Sequence, residues 1–314
     1  MDTDIAGCPI TGQLWTRRTT ASVAQQLNDW GISICERTVA RVLKSVGYAL
    51  RVNHKTISSC SPLQRDEQFQ KIALLRARSQ RDVIPLISVD AKKKELIGRF
   101  KNPGAIWGLA PQHVNDHDFR SLADGVAVPY GIYDLLANVG TFYVSCSYDT
   151  PQFAAECVAK WWQTEGCLRY PDATEIIILA DAGGSNGCRP RTWKYFLQHL
   201  VADPFNLHVT VAHYPAGSSK WNPIEHRLFS EVSKRWAGVV LESMDIILKY
   251  LRTTTTQTGL SVTANFVETV YEKGIKITDQ QMNALNCIKD EHIPQWNYII
   301  KPTYNNDQLL AVAS

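Results

Sequence analysis

The segment TEIIILADAGG, residues 174–184, limits the fold more than any other stretch of the chain. Its apolar residues run without the polar alternation of a strand that faces water on one side, and the run is too short for an ordinary helix. A strand of this kind is buried on both faces, which requires a parallel or mixed sheet covered by helices. It ends in an acid, Asp181, followed by Gly183 and Gly184. VIPLISVDA, residues 83–91, has the same character and the same kind of ending, at Asp90.

Other patterns extend the sheet. VPYGIYDLLA and TFYVSCSYD, separated by NVG at residues 138–140, read as a hairpin. TPQFAAECVAKWWQTEG is an amphipathic helix with Pro151 at its start and Gly166 at its end, RPRTWKYFLQHLV a second helix, LHVTVAHYP a strand and WNPIEHRLFSEVSKRW a third helix. From residue 85 to residue 237 the order is three strands, then helix, strand, helix, strand, helix. That succession predicts an α/β fold with a mixed sheet flanked by helices. TTTTQTGL, residues 253–260, reads as a loop, and WNYIIKP, residues 296–302, as a terminal strand or an arm.

The chain has 314 residues, 45% of them apolar, so it can build a large core. No apolar run approaches the roughly 20 residues of a membrane span. The start, MDTDIAGCPI, is acidic where a signal peptide is basic, and the expected location is cytoplasmic, in a prokaryotic cytosol or nucleoid. Cysteines 8, 35, 60, 146, 157, 167, 188 and 287 form no CxxC pair, and reduced, buried thiols are expected.

A net charge of +3 proves no nucleic-acid partner, but its distribution is uneven. Residues 1–60 carry bases at 17, 18, 37, 41, 44, 51 and 55 against acids at 2, 4, 29 and 36. Within them, residues 19–51 read as two short helices around a turn at DWG. Val23 and Leu27 mark one apolar face, Ser33 with Glu36 predicts a capping box, and Cys35, Val39, Val42 and Val46 recur at helical spacing. Arg37, Arg41 and Lys44 form a basic stripe on the other face. This is the pattern of a helix-turn-helix, whose second helix enters the major groove; a plain helical hairpin with a solvated charged face fits it equally. A charged helix over about residues 62–81 follows. The expected organisation is a helix-turn-helix segment at 1–60, a helical connector at 61–84, a core at 85–240 and a C-terminal extension at 241–314.

The acids carry the chemistry. Asp90 and Asp181 end buried strands, where sites form in open α/β sheets. Glu225, in KWNPIEHRLF, falls on the first turn of a later helix, with Asn222 as the predicted N-cap and Pro223 at the first helical position. Singly, each acid reads as a turn or capping residue. Together they form an oxygen-only set that repels itself unless cations neutralise it, which favours Mg²⁺ or Mn²⁺. Two such ions roughly 3.5–4 Å apart activate a hydroxyl or water for attack on phosphorus. GGSNG, residues 183–187, lets a phosphate backbone approach closely but lacks the endings of nucleotide-binding loops.

SVDAKKKELIGRFKNPG, VNDHDF, PYGIYD, DTPQFA, KWW, RYP, ADAGGSNGCRPRTWK, HYPAGSSKWNPIEHRLFS, TTTTQTGL and WNYIIKP closely resemble the ISAzo-thirteen-like group of DDE insertion-sequence transposases, from about residue 20 to residue 302. The resemblance implies an RNase H-like core with its triad on Asp90, Asp181 and Glu225. It also implies two Mg²⁺ (or Mn²⁺) ions and, as partner, double-stranded DNA at element ends and target. Synapsis of two ends implies a homodimer or higher assembly on DNA. The chain departs from the group's pattern at Ala182 and Pro223, neither of which removes a ligand, and the group's N-terminal region is usually longer.

Lys92, Lys93, Lys94, Arg99 and Lys101, in the basic run KKKELIGRFK, are candidate contacts to the DNA backbone, as is Lys220. Trp221 is a candidate base-stacking residue. Asn186, His213 and His226 are candidates for orienting substrate or water around the acids. The function expected is metal-dependent cleavage at mobile-element ends followed by strand transfer. The alternatives are an RNase H-like nuclease without strand transfer and a catalytically silent DNA-binding remnant.

Overall fold

The computed structural model describes residues 5–7, 14–16, 18–50 and 62–303. The chain divides into two compact units, Met1–Thr56 and Ile57–Ser314.

In the first unit, β1 (Ile5–Gly7) pairs antiparallel with β2 (Leu14–Thr16), and α1 (Thr20–Asp29) and α2 (Glu36–Ser45) follow. The Thr19 hydroxyl caps α1 by accepting from the Ser22 N–H at 3.1 Å. Asn28 fastens the turn, donating to the carbonyls of Ala24 (2.8 Å) and Ile34 (2.9 Å) and accepting from the Ile34 N–H at 3.0 Å. Two expectations fail. The Ser33–Glu36 capping box does not form, because Cys35 occupies the N-cap and supplies no side-chain cap. The buried face of α2 is Val39 with Leu43, packed on Val23, Ala24 and Leu27, whereas Val42 and Val46 face solvent at 49% and 62% exposure. Arg37, Arg41 and Lys44 are exposed. Arg17, Arg51, Lys55, Cys8 and Cys60 lie outside the described residues.

The second unit opens with α3 (Pro62–Asp82), followed by β3 (Leu86–Ala91), β4 (Glu95–Ile97), β5 (Gly125–Asp134) and β6 (Val139–Ser145). Next come α4 (Pro151–Trp161), α5 (Cys167–Arg169), β7 (Glu175–Asp181), α6 (Arg191–Leu197), α7 (Asp203–Phe205) and β8 (His208–Tyr214). The chain ends with α8 (Ser230–Trp236), α9 (Met244–Arg252), β9 (Ser261–Val267), α10 (Asp279–Asn283), β10 (Cys287–Lys289) and β11 (Asn297–Ile300). Wide π-turns at Trp162–Gly166, Gln198–Ala202 and Glu225–Phe229 lead into α5, α7 and α8.

The central strands lie in the order β6-β5-β3-β7-β8, antiparallel across β6, β5 and β3 and parallel across β3, β7 and β8. This is an RNase H-like sheet. It is extended by β9, parallel to β6, and on the far side by β11 and then β10, while β4 pairs with β5. WNYIIKP is therefore a strand, and the hairpin turns at Asn138, whose φ is 55°.

Both faces are covered. On one, Ile87, Val89, Ile178 and Val211 pack with Phe153 and Trp161 of α4 and Trp193 of α6. On the other, Phe142 and Val144 pack with Leu228, Phe229 and Ile247, while Ile72 of α3 joins Leu86, Leu179 and Tyr214. The helix expected to be a connector thus belongs to the sheet's cover. Its buried Gln68 donates to the His213 carbonyl and to Asn297 Oδ1, both at 2.9 Å. Two glycines make the bed for the Glu225–Phe229 turn. A Cβ on Gly131 would stand 2.5 Å from the Phe229 ring, and one on Gly140 would stand 2.4 Å from Leu228.

The described cysteines are free thiols, but the expectation of burial holds only for Cys157; Cys35 and Cys146 are exposed and the others intermediate. Among the described residues no helix is long and apolar enough to cross a membrane.

Candidate active site

β3 and β7 are parallel neighbours in which Val89 pairs with Ala180, so the residues that follow, Asp90 and Asp181, emerge abreast at the carboxyl edge of the sheet. Glu225 opens the π-turn before α8. Such single-turn widenings inside helices recur at functional sites, because the extra residue re-aims a side chain. The turn lies close to the strands because Gly131, the β5 partner of Asp90, has no side chain to hold Phe229 away.

One side chain ties these parts together. Asn222 is fully buried; its amide donates to Asp181 Oδ1 at 3.0 Å, and its oxygen accepts from Ser88 Oγ on β3. Its carbonyl accepts the Glu225 N–H at 3.1 Å. The predicted side-chain cap is thereby corrected, since both polar atoms of the Asn222 side chain are committed to the strands.

The three acids share one electrostatic site. Burial raises the Asp90 carboxyl from its ordinary 3.8 to about 8, reinforced by the charges of Asp181, Glu225 and Asp149 and opposed by the Ala91 N–H at 2.8 Å. Burial also raises Asp181, against the Asn222 hydrogen bond, and raises Glu225 together with the charge of Asp181, against His226 and Lys92. Like charges brought out of water hold protons unless a cation replaces them.

The donors suit a hard divalent cation. They are all oxygens, and beside them the buried Asn186 Oδ1 and Asp149 Oδ1 have no hydrogen-bond partner. Among the described residues, no three His, Cys, Asp or Glu side chains are gathered closely enough to enclose a single ion. Mg²⁺ fits such a site, since it is usually held by one or two carboxylates and completes its shell with water and substrate phosphate.

The other candidates divide. Asn186 is fully buried and donates to the Val89 carbonyl at 3.3 Å, beside Asp90. Lys93, Lys94 and Lys101 are exposed, and Arg99 is exposed and paired with Glu242 at 3.3 Å. Lys220 and Trp221 are exposed, the ammonium 4.0 Å from the ring centroid, with the Arg65 guanidinium 5.4 Å from the same ring. Lys92 departs from its expected role as a solvent-facing phosphate contact. It is buried, 3.5 Å from Glu95 and 4.4 Å from the centre of the Trp236 ring, and burial pulls its ammonium below the ordinary value. His213 is likewise fully buried. It donates from Nδ1 to the Asp181 carbonyl at 3.0 Å, accepts at Nε2 from the Tyr298 hydroxyl at 3.2 Å, and burial lowers it to about 4. It therefore holds the Asp181 backbone as a neutral ring. His226 is exposed beside Glu225. Sequence reasoning missed the bridging role of Asn222 and its partner Ser88. Asn222 did carry a signal, but the same Asn-Pro-x-Glu spacing spells an ordinary helix start.

Fold and site together define an RNase H-like domain of the DDE kind, with acids on the first and fourth core strands and on a later helix. The chain matches the family described as "Rhodopirellula transposase DDE domain" over residues 1–302, and it belongs to that family. No curated protein matches the chain. Among solved structures it is similar to "Mos1 transposase paired-end complex with left transposon end", at 15% identity and a TM-score of 0.45, over 74% of this chain and 65% of that one. "Crystal structure of a pre-cleavage Mos1 transpososome" matches at 14% identity and a TM-score of 0.45, over 76% of this chain and 72% of that one.

Proposed function

We propose that this chain is a DNA transposase whose RNase H-like core cuts strands at the ends of its mobile element and joins the freed 3′ hydroxyl to target DNA. The observation that carries the reading is the placement of Asp90, Asp181 and Glu225, two at the ends of adjacent parallel strands and the third fastened to them through Asn222. Two Mg²⁺ or Mn²⁺ ions held by these acids would neutralise the attacking and leaving oxygens of an in-line displacement.

The residues of the chain prepare that chemistry. Burial raises the Asp90 carboxyl to about 8, and a cation held beside it would favour the carboxylate, the proton passing to water. Asn222 and His213 hold the side chain and backbone of Asp181, so the carboxylate presents its remaining oxygen in a fixed direction. A Cβ at Gly183 would meet nothing within 4 Å, which leaves open space beside Asp181 for a sugar-phosphate backbone. Lys93, Lys94 and Lys101 are exposed for phosphate contact, and in the first unit the basic stripe of α2 suits a groove-reading helix of a helix-turn-helix. Because two element ends must be brought together, the working assembly holds at least two copies on DNA.

Asp181→Asn tests the reading. The variant is expected to bind element-end DNA as the wild type does and to lose Mg²⁺-dependent cleavage; an Asn variant that still cuts overturns it. Joined products in the wild-type reaction distinguish a transposase from a nuclease that only cuts. End-specific binding without any metal-dependent cleavage would mark a silent remnant.

A further inference from the structure

β3 is antiparallel to β5, and β5 to β6, so β6 runs in the same direction as β3 and its carboxyl end reaches the same edge of the sheet. Asp149 lies just past that end, immediately before α4. It is not the cap of this helix. That work belongs to the Thr150 hydroxyl, which accepts from the Phe153 N–H at 3.2 Å. Asp149 Oδ1 is instead buried with no hydrogen-bond partner among the described residues. Lys273, which lines the same small cleft as Asp149, has its ammonium 3.7 Å from the centre of the Tyr148 ring and forms no ion pair with Asp149 among the described residues.

A carboxylate oxygen taken from water without a donor is costly, and structures keep one only where something else satisfies it. Two more such oxygens lie around Asp90. Tyr130, the β5 partner of Ala91, is fully buried with a partnerless hydroxyl. Asn186 is fully buried with a partnerless Oδ1, and its amide is tied to the residue before Asp90. The Asp149 charge acts on both Asp90 and Tyr130, after burial and nearer groups. Buried oxygens without donors beside a carboxylate form an environment that a hard cation completes.

We infer that Asp149 is a fourth carboxylate of the cation site, serving the Asp90 side, with Asn186 Oδ1 supplying a neutral oxygen to the same ion. The inference rests on the proposal that Asp90, Asp181 and Glu225 bind a divalent cation. It explains why an acid next to a competent threonine cap is left unpaired. A purely structural alternative gives Asp149 only a favourable charge at the amino terminus of α4.

Mn²⁺ binding to the full-length, DNA-free protein, followed by the electron paramagnetic resonance of free Mn²⁺, separates these roles. Asp149→Asn is expected to weaken Mn²⁺ binding about 10–100-fold, with no lower unfolding temperature in the metal-free protein. Unchanged Mn²⁺ affinity overturns the inference, and a lowered unfolding temperature with unchanged affinity assigns Asp149 to the helix terminus. If Asp149→Asn loses both stability and affinity, Asp149→Glu must recover Mn²⁺ binding, and its failure to do so also overturns the inference. Asp181→Asn is the control for the underlying site. If it too binds Mn²⁺ normally, the metal-site reading falls; if it loses binding while Asp149→Asn does not, only the fourth carboxylate falls.

Discussion

Asn222 donates its side-chain amide to Asp181 Oδ1 at 3.0 Å while accepting from Ser88. A neutral residue thus spans β3, β7 and the turn that carries Glu225. It orients one acid and locates another without adding charge to a crowded site.

Asn222→Ala should therefore damage both folding and chemistry. Leaving Ser88 Oγ and Asp181 without their partner is expected to cost about 1–3 kcal/mol, read as a lower unfolding temperature. Cleavage of labelled element-end DNA should fall about 10–100-fold, as for other residues that hold metal ligands in place. Ser88→Ala should be milder on both counts. Wild-type cleavage by Asn222→Ala would remove Asn222 from the site.

Stability of the metal-free protein should depend on pH through Asp90. Its carboxyl titrates near 3.8 in an unfolded chain and at about 8 in the fold, where burial comes first and the charge of Asp181 next. Between those values the folded protein holds a proton that the unfolded chain has lost, so this stabilising contribution is complete below about pH 4 and disappears as pH rises through about 8. Thermal unfolding without divalent ions should show that decline, Asp90→Asn should flatten it, and Mn²⁺ should oppose it at alkaline pH. A slope identical in wild type and Asp90→Asn would contradict the assignment.

Gly131→Ala places a methyl 2.5 Å from the Phe229 ring. Overpacking of this kind costs about 1–3 kcal/mol and pushes the π-turn off the sheet, so activity should drop with stability. Phe229→Leu in the same chain should relieve the clash and restore part of both. If the double variant is no better than Gly131→Ala, packing against Phe229 is not what fixes the turn.

The α2 stripe predicts salt dependence. Neutralising Arg37, Arg41 and Lys44 together should lower the slope of log affinity against log salt by roughly 0.9 for each DNA phosphate that the stripe no longer neutralises. The fold of the first unit should be unaffected, because all three are exposed. An unchanged slope, measured by fluorescence anisotropy on element-end DNA, would leave α2 as a solvated helix.

What the sequence discloses follows the range over which its signals act. Strand and helix alternation, the strand-end positions of Asp90 and Asp181 and the Asn138 hairpin are local, and all are in the fold. The sequence is silent where a residue's partner is distant. Asn222 meets Asp181 across 41 residues and Ser88 across 134, and nothing near Asn222 distinguishes bridging from capping. Lys92 sits in a run of bases that reads as solvated, yet the link between β3 and β4 turns it inward under Trp236 while Lys93 and Lys94 stay outside. In α2 the helical spacing admitted two sets of valine and leucine positions, and packing on α1 selected Val39 and Leu43.

β11 has a consequence for how broken copies of such a gene should be judged. It covers the outer edge of β8, and its Tyr298 hydroxyl reaches the His213 ring that holds Asp181, yet it is translated long after Glu225. A reading frame interrupted between the codons for Glu225 and Asn297 still spells all three acids. Its product would have a bare β8 edge, and His213 and Gln68 would each be missing a partner from β11. Counting acids would score that copy as intact, although the edge of its sheet would be open.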